Sequence, residues 1–390
     1  MMKKIPLIAG IAAMVVFLLL YPDNCLKAAR YGLELWFNTV LPSLFPFVLA
    51  SFMLLETGLI RLVSQFFAPL TRFLFNAPGE SAYIFLTAAL SGYPVGARLT
   101  AELYQTNRMS EADAQTVVRF TSVSGPLFIT GAVSAGMLGL PEAGIYLAVT
   151  HYLSALLTGM IFGLFRNRRG NKPSRPRISL RDAISQFRED AAKCPPVGTL
   201  MADGVEKAMT LMLRIGGYII LFSVIMEILS VTGILGLLTS LYLPVAKLIN
   251  VDVQGVSAMI LGSLEATTGC AKIAALGLPL TITLPMVASV IAFGGLCIHM
   301  QTQAVCAAAK LKPKGFALAK TLQGTIASLL CALALQLFPL TVTASSIEGA
   351  SKNAAFGGVI FAGVSLLLVL IIRLLQRRKQ KSVFPFAGKL

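Results

Sequence analysis

Eight stretches of this chain are apolar over about the 20 residues that a membrane-crossing helix needs, and a chain so built does not close a core in water. They fall at residues 5–21, 31–55, 120–138, 144–165, 208–231, 284–309, 316–338 and 354–375. In hydrocarbon every backbone N–H and C=O must be satisfied inside the protein, so these stretches are expected to be helices. Only 13% of the residues are charged, against about 25% in soluble domains. The expected fold is an all-α polytopic membrane protein. Pro42 and Pro46 remove two backbone donors from the second stretch and are expected to kink it. Residues 5–21 follow Lys3 and Lys4 as in a signal peptide. The segment Pro22-Asp23-Asn24-Cys25 lacks a small-x-small cleavage pattern, so this is read as a retained first span.

Two halves of the chain echo each other. Thr57-Gly58-Leu59 returns as Thr232-Gly233-Ile234, Pro69 as Pro244, Ala97-Arg98 as Ala271-Lys272 and Gly125 as Gly295, with order kept and spacing nearly kept. Two segments in each half are too short or too interrupted to be full spans. Residues 60–76 and 236–250 read as helices lying at an interface. Residues 81–98 and 256–272, broken by Gly, Pro, Thr or Glu, read as re-entrant hairpins; for all four segments, ordinary tilted or short spans are the plainer alternative. Paired broken segments at matching places in two halves point to a transporter's solute site.

The formal charge of +16 invites a nucleic-acid reading, but its placement argues against one. Lys and Arg gather at residues 3–4, 166–193 and 310–320 and after Arg373, beside apolar spans, where the positive-inside rule accounts for them. With Lys3 and Lys4 in the cytoplasm, each basic cluster and both termini fall on the cytoplasmic side. The first span of the second half then runs outward where its counterpart runs inward, so the halves are inverted repeats. The expected organisation is an N-terminal span at 1–27, a first repeat at 28–165, a basic cytoplasmic linker at 166–200, a second repeat at 201–338, and a last span with a basic tail at 339–390. A short amphipathic helix is expected at 180–193. Membrane lipids are expected partners.

The chemistry is concentrated at the interruptions. Ser91-Gly92-Tyr93-Pro94-Val95-Gly96 would form the first hairpin tip, with Arg98 just beyond; Thr267-Thr268-Gly269 would form the second, with Lys272 in the matching place. Broken helices present N–H groups where the dipole favours an anion. The two tips thus suit a small anionic, carboxylated solute, or else Arg98 and Lys272 only snorkel to headgroups. Ser122, Ser124, Gly125 and Pro126 could unwind a span and free carbonyls, and Phe293-Gly294-Gly295 stands at the matching place; close helix packing is the alternative for both. Glu265 is a carboxyl deep in apolar sequence, expected to handle a proton or couple an ion, or else to pair with Lys272. His299, four residues before Gln303, is a second candidate for proton handling or a plain helix contact. His151 reads as a packed or interfacial histidine.

No phosphate loop, zinc helix or nucleophile elbow is present in the sequence, and the six cysteines are scattered without a C-x-x-C pair. No enzyme activity, metal or cofactor is expected.

The segments Gly32 to Phe47, Ser91-Gly92-Tyr93-Pro94-Val95-Gly96-Ala97, Ser124 to Ile129 and Gly262 to Gly269 resemble the YlbJ sporulation integral membrane proteins, over about residues 31–309. That family is grouped with the nucleoside-recognition gate proteins, which look like concentrative nucleoside transporters built on inverted repeats with two hairpins. What the resemblance implies is a secondary transporter that moves dipicolinic acid from mother cell towards forespore, across the outer forespore membrane, by alternating access. It leaves open a nucleoside-type solute, a non-transporting scaffold for spore assembly, and a homo-oligomer.

Overall fold

The computed structural model describes residues 5–164, 180–247 and 252–340. The expected last span at 354–375, the basic tail and residues 166–179 of the basic linker lie outside the described residues. The described chain is helical, in the order α1 Ile5–Leu20, α2 Pro22–Leu35, α3 Leu41–Glu56, α4 Leu59–Phe75, α5 Glu80–Ser91, α6 Val95–Gln105, α7 Glu111–Thr121, α8 Ala143–Leu164, α9 Leu180–Ala192, α10 Val197–Val231, α11 Ile234–Lys247, α12 Val253–Leu264, α13 Ala266–Ala274, α14 Leu280–Phe293, α15 Gly295–Ala308 and α16 Phe316–Leu337. Two π-helical segments, Trp36–Val40 and Phe128–Met137, are set among them.

Among the described residues, five helices are long and apolar enough to cross a membrane: Pro22–Glu56, Ala143–Leu164, Val197–Val231, Leu280–Ala308 and Phe316–Leu337. They match the expected spans beginning near 31, 144, 208, 284 and 316. The first is continuous because the π segment absorbs the proline: Leu41 N–H reaches the Trp36 carbonyl, five residues back, as Pro42 enters the first turn of α3. α1 has 16 residues, about 24 Å at 1.5 Å per residue, shorter than the expected span over 5–21.

The expected full span at 120–138 is not one helix. It ends as α7 at Thr121, runs non-helically over residues 122–125 and resumes before the π segment Phe128–Met137. Pro126 has no N–H to continue a helix, and Gly125 supplies no side chain to hold one. The counterpart at 284–309 is also interrupted. Gly294 and Gly295 take φ of +80° and +71°, a left-handed turn that glycine adopts without strain, and they separate α14 from α15. Each half therefore repeats one order: two short helices folded on each other, then an interrupted span.

Packing places these interruptions together. α14 is buried at every position from Thr283 to Phe293 and lies against α16 and α8. In lipid, helices associate through small residues that let backbones approach. α8 brings Gly144 against Thr130, Gly159 against Phe120 and Gly163 against the Phe75 backbone. The π segment Trp36–Val40 and α10 meet at Gly216, where Trp36 lies over the glycine and its Nε1–H donates to the Met212 carbonyl at 3.0 Å. On the outside, α4 shows Phe66, Phe67, Leu70 and Phe73. Arg61 on the same helix binds Asp190 of α9 at 2.8 Å.

Candidate functional site

One cavity collects all four interruptions. It is lined by Ser91, Gly92 and Tyr93 between α5 and α6, by Ser124 and Gly125 of the first broken span, by Glu265, Ala266 and Thr267 between α12 and α13, and by Ile291, Cys297 and Ile298 flanking the second broken span. Gln301 adds an amide, and the walls come from α3 (Leu44, Phe47, Val48) and α10 (Met212, Ile215, Ile219). Its volume is about 80 Å³, small beside the roughly 300–1,000 Å³ of ligand pockets, so the cavity is narrow in the state described. The lining is mostly apolar with a few polar groups at the helix breaks.

The first break is held from behind by side chains of α8 and α16. The Ser124 N–H donates to His151 Nε2 at 3.0 Å, so the imidazole proton is assigned to Nδ1. Tyr152 Oη donates to the Ser124 carbonyl at 2.9 Å and lies 3.2 Å from the Ala89 carbonyl of α5. Lys320 Nζ donates to the Ser122 carbonyl at 2.8 Å, to Gln323 Oε1 at 2.6 Å and to Tyr93 Oη at 3.2 Å. These contacts satisfy the backbone that unwinding leaves open, a debt of about 1–3 kcal/mol for each buried group left unmet. They also tie the first hairpin turn to the broken span. Tyr93 Oη in turn donates to the Ile291 carbonyl at 3.3 Å, which links the first hairpin to the second broken span.

The second hairpin turns at Glu265, not at Thr267-Thr268-Gly269 as the sequence suggested. Glu265 is extended, φ −142° and ψ 122°, and caps α13: its Oε1 accepts from the Thr267 N–H at 2.8 Å and its Oε2 from the Thr268 N–H at 2.7 Å. A carboxylate at a helix N-terminus is stabilised by both the hydrogen bonds and the dipole. The reading of Thr267 and Thr268 as free N–H donors is thus corrected: the protein's own acid takes those donors. Glu265 is also not ion-paired with Lys272; among the described residues no such pair forms.

The predicted residues divide sharply. Ser91, Gly92, Ser124, Thr267 and Glu265 line the cavity. The Ser91 hydroxyl is buried there with no protein partner. Ser122 is buried behind the lining. Arg98 lies on the exposed face of α6. Lys272 is exposed too, its ammonium 5.7 Å from the Tyr31 ring, and it shares a second cavity with Thr268, Lys27 and Glu227. Gly269 packs against Gly262. His299 is buried between Phe293 and Phe316, with Nδ1 2.8 Å from the Gly295 carbonyl, and Gln303 is exposed. Sequence reasoning missed Lys320, counted there among the basic residues of a loop, although it is wholly buried. The Lys320–Gln323 spacing on one helix face was the available signal.

Electrostatically, three helical segments start at the cavity without a side-chain cap: α6 after Pro94, α15 after Gly294, and the segment following Gly125. Their positive ends direct positive potential inward, which favours a bound anion or a carbonyl-rich edge.

The sequence is 30% identical over 313 residues to the sporulation integral membrane protein YlbJ of Bacillus subtilis (strain 168), covering 79% of this chain and 77% of that protein. A solved structure of a CNTnw variant in its intermediate 1 state aligns with a TM-score of 0.44 and 15% identity, over 93% of this chain and 85% of that one. No family model matches.

Proposed function

Because the chain belongs to the family of the sporulation integral membrane protein YlbJ, we propose that it is a secondary transporter of a small carboxylated solute, dipicolinic acid moved from mother cell towards forespore across the outer forespore membrane. The observation that carries this reading is the convergence of both hairpin turns and both broken spans on one cavity. Interrupted helices have no structural advantage in lipid; they persist where they surround a cavity that uses their exposed ends. An apolar wall suits the faces of a flat aromatic ring, and the Ser91 hydroxyl, the Gln301 amide and the uncapped helix starts suit its polar edge. In this reading Ser91, Gly92, Ser124 and Thr267 bind solute, and the inverted repeats present the cavity to each side in turn. Arg98 and Lys272 take no part in binding, since neither reaches the cavity.

The test is uptake of labelled dipicolinate by proteoliposomes. Saturable exchange is expected for the parent protein, with loss of at least about tenfold when Ser91→Trp fills the cavity. Absence of saturable exchange in the parent, with correct folding, would overturn the reading.

A further inference from the structure

Glu265 and Lys320 are the buried acid and the buried lysine among the described residues. The charge of Glu265 is met by a helix start. Lys320 has no such answer: it is wholly buried, and among the described residues no carboxylate pairs with it. Its partners are three neutral oxygens from three different elements: Tyr93 Oη from the first hairpin turn, the Ser122 carbonyl from the first break, and Gln323 Oε1 from α16 itself.

We propose that Lys320 is the proton site through which solute movement is coupled to a proton gradient. This rests on the transporter reading above. The stoichiometry carries the argument. An ammonium has three N–H donors, and Lys320 serves three acceptors. A neutral amine has two donors and one lone pair. On losing its proton, Lys320 must release one acceptor, and its lone pair can receive the Tyr93 hydroxyl. That hydroxyl now donates to the Ile291 carbonyl. Departure of the proton therefore moves the Tyr93 hydrogen bond from the second broken span to α16 and unties the first hairpin turn from that broken span. Tyr93 lines the cavity, so the departing proton has a hydroxyl at the cavity wall as its way out.

Other titratable groups also face α16, and His151 Nδ1 and His299 Nε2 are buried without a partner. α14, packed along α16, carries no titratable side chain. α8 presents His151, whose Nε2 is occupied by the Ser124 N–H, and Tyr152, bound to the Ser124 carbonyl; Tyr146 at its other end binds the Phe338 carbonyl. α7 brings Arg119, which binds the Lys314 carbonyl, while Glu111 and Asp113 lie in its first turn. His299 of α15 stands beyond Phe316.

The experiment uses the full chain in proteoliposomes loaded with a pH-sensitive dye. With an alkaline interior, the parent is expected to concentrate labelled dipicolinate, by up to about tenfold per pH unit for one proton per solute, and to acidify the lumen as it does so. Lys320→Met, which leaves the Ser122 carbonyl unmet, is expected to lower dipicolinate exchange at equal pH without abolishing it, and to lose both accumulation and acidification at every solute concentration. Lys320→Arg, which keeps a permanent charge, is expected to lose accumulation too. Accumulation by Lys320→Met equal to the parent, or parental exchange indifferent to the gradient, would overturn the proposal while leaving the transporter reading standing. A parent that exchanges no dipicolinate would sink that reading instead. Hydrogen exchange then decides: protection of residues 91–95 and 122–125, corrected for intrinsic rate, is expected to vary with pH in the parent and not in Lys320→Met, and identical profiles in both would overturn the proton site.

Discussion

A Cβ built on Gly269 would stand 2.1 Å from the Cα of Gly262, so the two helices of the second hairpin touch backbone to backbone just beyond their turn. No side chain separates them there, and the geometry of the Glu265 cap depends on that closeness.

Gly269→Ala must part α12 from α13. Destabilisation of about 3 kcal/mol, the upper end for overpacking, is expected, read as a lowered thermal midpoint in detergent. Gly96→Ala should behave alike, since its Cβ would lie 2.2 Å from the Thr121 carbonyl oxygen. Gly217→Ala is the contrasting case. Nothing stands within 4 Å of its Cβ, and the midpoint should hold or rise.

Glu265→Gln keeps shape but offers one acceptor where two N–H groups arrive. The amide NH₂ then faces a backbone donor. A loss of about 1–3 kcal/mol in stability is expected, with a fall in dipicolinate exchange of about tenfold or more. Unchanged exchange beside reduced stability would confine Glu265 to the cap.

Arg98→Ala and Lys272→Ala separate the cavity from the charge pattern of the sequence. Both side chains lie outside the lining, so exchange is expected to stay within about twofold of the parent. A tenfold loss in either variant would restore the cation to the solute site.

Gly216→Val tests the contact between the π segment Trp36–Val40 and α10. A side chain at 216 would start 2.6 Å from the Trp36 indole and displace it from the Met212 carbonyl. The sequence has a single tryptophan, so fluorescence reports on this one place. A red-shifted emission and a lowered thermal midpoint are expected together.

Much of this fold was legible in the sequence, for physical reasons that also mark where reading failed. Long apolar runs have one solution in lipid, so the spans near 31, 144, 208, 284 and 316 were readable from length alone. Pro94, Pro126 and the Gly294-Gly295 pair announced interruptions, because proline lacks a donor and paired glycines lack restraint. Glu265 was read for its charge, and the turn was placed two residues late. A lone acid before Thr267 and Thr268 was also a capping signal, which sequence distance from the basic loops concealed. Lys320 was illegible for the opposite reason. It follows Lys310, Lys312 and Lys314, and only the packing of α16 against α8 and the first hairpin shows that it points inward. The span expected at 120–138 failed because apolar composition says how a segment is solvated, not whether its backbone bonds run unbroken.

α10 has 35 residues, about 52 Å of helix, where the hydrocarbon layer is about 30 Å thick. Its overshooting end carries Asp203, Glu206 and Lys207, the last bound to Glu56 at 2.8 Å. Such a mast does not slide along the membrane normal without dragging those groups into oil. The cavity wall that α10 supplies is anchored in depth, and any vertical travel in the proposed transport cycle falls to the hairpins.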